Sequence, residues 1–170
     1  MIWIYEKNEK ISARYILGQV GKKPLICIGV NPSTATPQNL DRTINRVINF
    51  SKKNNYDGWI MLNIYPQRSQ DPNYLDNTKN KDLHLENLQF IKKIMEEYRG
   101  DIWCAWGETI EKRSYLKQCL LDIFNIINEY DCKWIHLGTV TTSGHPRHPS
   151  RSKSDVEFCD FDIKNYIEKL

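Results

Sequence analysis

The chain has 170 residues, 40% of them hydrophobic and 11% aromatic, enough for one folded α/β domain over residues 1–170 and too few for a second sizeable core. Its 24 Lys and Arg against 21 Asp and Glu leave a formal charge of +3, which permits a nucleic-acid partner without demanding one. Five cysteines at no C-x-x-C spacing argue against a zinc ribbon, an iron–sulfur site or a disulfide framework. No stretch approaches the length of a membrane span, so reduced thiols in a cytoplasm are the expectation.

Residues 1–20 read as a short opening strand or hairpin, with Tyr15-Ile16-Leu17 as its apolar part and Gly18 and Gly21 to Pro24 as punctuation. Leu25-Ile26-Cys27-Ile28-Gly29-Val30 is then an uninterrupted apolar run of strand length, the pattern of a strand buried on both faces. Asn31-Pro32-Ser33 stops it and opens a polar loop to Leu40. Asp41 or Thr43 caps the next helix, whose apolar face is Ile44, Val47, Ile48 and Phe50 and which Asn54-Asn55 ends.

Trp59 to Leu62 is the second buried strand. It runs into Asn63 and a long loop through Tyr65 to Asn73. A helix from about Lys81 to Arg99 carries Leu85, Leu88, Ile91, Ile94 and Met95 inward, and Gly100 stops it. Asp101 to Trp106 is the third strand, ending at Gly107. A helix near Thr109 to Tyr130 follows, and Trp134 to Leu137 is the fourth strand. Thr139 to Arg151 is a loop without an apolar run, and Asp155 to Leu170 closes the fold as a strand or helix. The tryptophans belong to the core or its edge, with Trp106 as a pocket wall.

This alternation predicts a three-layer α/β/α domain around a central, mainly parallel four-stranded sheet. In such sheets ligands bind at the carboxyl ends of the strands. Four strand ends then share one crevice: Asn31-Pro32-Ser33, Asn63-Ile64-Tyr65, Gly107-Glu108-Thr109, and the stretch from Gly144 to Arg151. The last holds His145, Arg147, His148, Ser150 and Arg151 on two prolines, a stiff loop with imidazole and guanidinium groups suited to phosphate or a polar ring. Asn, Ser and Gly after strands are also ordinary turn formers. Pro146 denies His145 and His148 the helical spacing of a zinc motif, Ser33 lacks a nucleophile elbow, and Gly29 has no phosphate-loop sequence behind it. No metal and no cofactor are therefore expected.

Asn31-Pro32-Ser33-Thr34-Ala35, Ala105-Trp106-Gly107 and Gly144-x-Pro146-x-His148-Pro149 together resemble the signature of a family of uncharacterised bacterial and phage proteins, a domain of unknown function, from about Arg14 to Ser150. More loosely, the same strand ends resemble the uracil-DNA glycosylase superfamily. Gly29-Val30-Asn31-Pro32 is similar to its water-activating motif, in the form with Asn in place of Asp. Leu62-Asn63 is similar to the base-reading motif, Trp106-Gly107 to the third-strand W-G, and His148-Pro149-Ser150 to the H-P-S of the loop beside the flipped nucleotide.

That resemblance implies an N-glycosylase-like hydrolase of that fold, with Asn31 and His148 catalytic and Asn63 at the base edge. Pro32, Ser33, Tyr65, Trp106 and His145 would line the substrate, and Arg147, Ser150 and Arg151 would hold phosphates. The usual stacking aromatic is replaced by Ser33 and Thr34, with Tyr65 as a substitute ring, and nine residues separate the fourth strand's loop start from His148. The expected partner is a nucleobase or nucleotide, including DNA. The alternative is a non-catalytic module of the same fold that binds a nucleotide, nucleic acid or protein. A small-molecule hydrolase using Asp41 or Glu108 as base is a third reading.

Overall fold

In a computed structural model, which describes residues 2–170, the chain forms one seven-stranded mixed sheet with helices on both faces. The strands are β1 (Ile2–Lys7), β2 (Arg14–Val20), β3 (Pro24–Gly29), β4 (Gly58–Asn63), β5 (Ile102–Cys104), β6 (Trp134–Leu137) and β7 (Phe158–Asp160). Their order is β1-β2-β4-β3-β5-β6-β7.

The four apolar runs form the parallel centre, β4-β3-β5-β6. The expected four-stranded sheet is thus extended to seven strands. An antiparallel hairpin, β1 and β2, adds to β4, and β7 adds antiparallel to β6. An opening hairpin and a closing strand are expected from the sequence, but where they join the sheet is set by antiparallel pairing between distant segments, which local pattern does not specify. Trp3, on β1, is 40% exposed and sits at the core's edge, its ring packed edge-on against the buried Trp59 with centroids 6.1 Å apart.

Period-two alternation divides the core. Leu25 and Cys27, Trp59 and Met61, Trp103, and Ile135 and Leu137 face one helix, α1 (Arg42–Lys53). Ile26 and Ile28, Ile60 and Leu62, and Ile102 and Cys104 face α2 (Lys81–Glu97), α3 (Tyr115–Ile127) and α4 (Ile163–Glu168).

Helix α1 follows its sequence signals closely. Asp41 caps it through the Ile44 N–H, Ile44, Val47 and Phe50 are buried, and Asn54 closes it before Asn55 turns at φ +61. Helix α2 ends earlier than expected, at Tyr98, whose extended backbone breaks the repeat ahead of Gly100. Its inner face also differs. Leu85 is 57% exposed, whereas His84 and Asn87 are buried. Asn87 Nδ2 donates to the carbonyls of Asn63 (2.9 Å) and Ile64 (3.4 Å), satisfying backbone at the carboxyl end of β4. His84 Nε2 meets Asp122 at 2.7 Å. The residues expected to begin the next helix form a 3-10 segment, Gly107–Lys112, before α3.

Cys27, Cys104 and Cys119 are buried free thiols, and burial raises the pKa of each. Among the described residues no helix is long and apolar enough to cross a membrane.

Truncating Ile94 to Ala, deep between α2 and the sheet, is expected to cost about 2–5 kcal/mol of unfolding free energy. Leu85→Glu is expected to stay within about 0.5 kcal/mol. Urea denaturation of both variants checks the phase of the helix.

Candidate functional site

The carboxyl ends of β3 and β5, the amino end of α1 and the loop after β6 enclose a cleft of about 940 Å³. Because β2 runs antiparallel to β4, its first residue, Arg14, reaches the same rim. Of the residues expected at the site, Asn31, Ser33, Trp106, Arg147, His148, Ser150 and Arg151 border this cleft. Asp41 and Glu108, the alternative carboxylates, border it too.

The late loop reaches the cleft because α1 holds it. Arg46 donates through Nε to the Pro149 carbonyl (2.9 Å) and through Nη2 to the Ser152 carbonyl. On the other side Gly107, at φ +58, receives the loop: its N–H donates to Pro146 O at 2.8 Å, and a Cβ there would sit 3.4 Å from His148 Cβ. The positive φ is what favours glycine here, since the added Cβ would make only ordinary contact.

His148 lies just before a short 3-10 turn, Pro149–Arg151, and Ser150 fixes its ring. The Ser150 N–H donates to Nδ1 (3.2 Å), and the Ser150 hydroxyl lies 2.7 Å from the same nitrogen. A backbone N–H only donates, so Nδ1 is the acceptor and the proton of the neutral ring sits on Nε2. Among the described residues Nε2 makes no hydrogen bond, and His148 borders the cleft. Burial, reinforced by the Arg151 charge, pushes the His148 pKa down to about 4, and Asp41 opposes this weakly. At neutral pH His148 is therefore an uncharged Nε2–H donor.

Asn31 presents the complementary group. Its Nδ2 donates to the carbonyls of Ser69 (2.9 Å) and Pro32 (3.0 Å), which commits both amide hydrogens and fixes the side chain. Oδ1 remains as a free acceptor.

Asn63 is paired beside Gly29 in the sheet, 0% exposed, and both polar atoms of its side chain lack partners. A methyl on Gly29 would lie 2.7 Å from the Met61 methyl and 3.3 Å from Asn63 Oδ1. Gly29 and Met61 border the cleft, so the Asn63 amide lies directly beneath its floor rather than on its surface. An orphaned buried amide is costly, and such groups call for a functional explanation.

Three expected lining residues are elsewhere. Tyr65 is fully buried on the α2 side of the sheet; its hydroxyl accepts from the Asn80 N–H (2.9 Å) and its ring packs on Tyr115. Beyond Asn63 the strand alternation breaks: Ile64 and Tyr65 both pack on the α2 side, although Tyr65 is two residues on from Asn63. His145 is buried behind Trp106, with Nδ1 2.7 Å from the Tyr166 hydroxyl and Nε2 3.1 Å from Glu111. Trp106 Nε1 donates to the same hydroxyl at 2.9 Å, so this trio braces the loop from behind. Pro32 is buried, and its carbonyl serves the Ser69 N–H and Asn31.

Arg147 is half-buried and donates to the Thr139 and Val140 carbonyls, while Arg151 is exposed at the rim. Among the described residues no cluster of three or more His, Cys, Asp and Glu is placed to hold a metal ion.

Sequence reasoning missed Arg14, which is 2% exposed. It donates through Nη1 to the Ala35 carbonyl (3.1 Å), and its Nε has no partner. A lone arginine at a strand start carries no local signal, since only the sheet order brings it to the rim.

Against this geometry, residues 14–150 match the family model described as "Protein of unknown function (DUF1643)", and the chain belongs to that family. No curated protein and no solved structure matches it.

Two measurements check the site. In nitrogen-15 NMR the His148 ring is expected as the neutral Nε2–H tautomer at pH 6, below the ordinary histidine value of 6.5. A folded pKa lower than the unfolded one means the unfolded chain binds the extra proton first. Stability linked to His148 is thus full above about pH 6.5 and falls as pH drops toward 4. In denaturant titrations at pH 7 and pH 4.5, His148→Gln is expected to lose less stability than wild type. Arg46→Ala is expected to cost about 1.5–3 kcal/mol, from charged hydrogen bonds left unmade, and to speed amide exchange over residues 145–152.

Proposed function

We propose that this member of the DUF1643 family binds a nucleobase-containing ligand, a free base, nucleoside, nucleotide or nucleic acid, in the cleft and cleaves its N-glycosidic bond. The observation that carries the reading is the pairing of two fixed, unspent groups, the Asn31 Oδ1 acceptor and the neutral His148 Nε2–H donor, on one cleft.

The chemistry needs both. When the bond between the sugar C1′ and the base nitrogen breaks, its electron pair leaves with the base. The resulting charge spreads onto a ring carbonyl oxygen. A neutral donor already aimed at that oxygen stabilises the developing charge without reorganising, and a burial-depressed pKa keeps the donor uncharged. Water then adds at C1′, with Asn31 Oδ1 accepting one of its hydrogen bonds, and the proton the water gives up goes to the departed base anion, leaving free base and sugar hydroxyl. Asn63 offers a donor and an acceptor in one plane, matching the paired groups of a base edge, once the Met61 side chain swings from above it. Arg147, Ser150 and Arg151 form a basic rim for phosphate.

A second reading, a binding module of the same fold, is favoured by the neutral amide at position 31 and by the closed floor over Asn63. It produces ligand-dependent thermal stabilisation without product.

The test is turnover on strands and nucleosides carrying uracil, mismatched or modified bases, with free base as the measured product. Asn31→Ala and His148→Ala are each expected to lower kcat/KM by about 10² or more. Cleavage unaffected by either substitution overturns the assigned roles, and binding without any product selects the second reading.

A further inference from the structure

Arg14 poses a problem that the roles above leave unsolved. Its guanidinium is buried, and Arg68 lies close enough to lower its pKa together with burial, to about 10. Arg68 donates to the carbonyls of Ser33 (2.7 Å) and Ala35 (3.4 Å) and to the Tyr5 hydroxyl (2.7 Å). Among the described residues neither arginine forms an ion pair. Two guanidinium groups are thus held together with no carboxylate in contact, at a cost that a structural role in packing does not repay.

The surroundings point outward to a ligand. Arg14 spends Nη1 on Ala35, while among the described residues Nε and Nη2 make no hydrogen bond, and the residue borders the cleft. Helix α1 presents its amino end to the same cleft through Arg42 and Thr43, whose backbone N–H groups precede the first intrahelical bond. Of the two acids on the cleft, Asp41 is the one whose charge reaches Arg14; its Oδ1 is committed to the Ile44 N–H, and its single charge does not balance two arginines. A buried fork of N–H donors, a helix amino terminus and the hydroxyls of Ser33 and Thr43 make up a phosphate cradle.

We infer that Arg14 and the amino end of α1 form an anion subsite that takes the terminal phosphate of a free nucleotide, making the ligand a nucleoside phosphate rather than a nucleic-acid strand. The assignment of phosphate rests on the subsite itself, and that of the nucleoside rests on the proposed function. Burial decides between the two sources of phosphate. A phosphodiester inside a strand continues as sugar on both sides and needs two exits, whereas a side chain with 2% of its surface exposed meets only the end of a molecule. The exposed Arg151 has no such restriction.

The experiment measures binding by calorimetry and thermal shift at constant ionic strength, with inorganic phosphate, deoxyuridine, deoxyuridine 5′-monophosphate and a single-stranded oligonucleotide containing one uracil. Wild type is expected to be stabilised by phosphate beyond the matching chloride control, and to bind the monophosphate at least tenfold more tightly than deoxyuridine. Arg14→Gln is expected to abolish both differences while leaving oligonucleotide affinity within twofold. Lys92→Gln, on the exposed face of α2 and away from the cleft, is expected to retain both.

Should Arg14→Gln fail to fold, Arg14→Lys, which keeps the charge and loses the fork, is expected to weaken phosphate binding at least threefold. Absence of phosphate-specific stabilisation in wild type overturns the subsite, as does unchanged phosphate affinity in a folded Arg14 variant. Oligonucleotide affinity that falls with Arg14 as steeply as monophosphate affinity overturns the choice of a free nucleotide. Phosphate binding that depends on Arg14, with neither deoxyuridine nor its monophosphate bound, supports the subsite and overturns the nucleobase reading instead.

Discussion

A single side chain, Arg46, ties the end of the chain to its beginning. Its guanidinium spans the Pro149 and Ser152 carbonyls, pinning the late loop against α1, the helix whose amino end borders the cleft. Farther along the same helix, Lys53 adds a tie to the Ser154 carbonyl and the Glu157 carboxylate. The brace behind the loop, in which Trp106, Tyr166 and His145 share one hydroxyl, fixes its other flank. Between clamp and brace, His148 has one orientation and one tautomer, and it borders the cleft that Asn31 enters from β3.

The cleft separates two kinds of group. Toward β6 and the rim lie the neutral imidazole and the solvent-exposed Arg151, and toward β2 lies the buried Arg14 with the half-buried Arg68 behind it. Between them are Asn31, Gly29 and the Met61 methyl, with the unpartnered Asn63 amide underneath. A ligand with a charged end and a flat polar end suits such a division. It supplies the anion the arginines lack and the hydrogen bonds Asn63 lacks, so that two costs of the unliganded fold become sources of affinity.

The sequence is explicit about the parts of the fold that are locally determined. Buried parallel strands are written as apolar runs, as in Leu25 to Val30, and α1 carries cap, stripe and stop in order. The hairpin's place in the sheet was not legible, because pairing of β2 with β4 is a contact between distant segments. Arg14 was missed with it. The site was legible where strand ends are concerned, as at Asn31, and at His148, whose Pro-braced loop was conspicuous. It failed at Tyr65 and His145, since the direction a side chain takes after a strand has ended depends on packing partners such as Asn80, Tyr115 and Tyr166. The polar inner face of α2 at His84 and Asn87 has the same origin: carbonyls at the carboxyl end of β4 and the acid of Asp122 required donors that no helical periodicity announces.

The central claim is that one ligand bridges the imidazole of His148 and the amides of Asn31 and Asn63. A crystal structure of the protein soaked with deoxyuridine 5′-monophosphate tests it most directly. The account predicts the base ring within hydrogen-bond distance of His148 Nε2, with the Met61 side chain displaced and the Asn63 amide on the base edge. A nucleotide seated outside this cleft, with Asn63 still sealed beneath Met61, would contradict it.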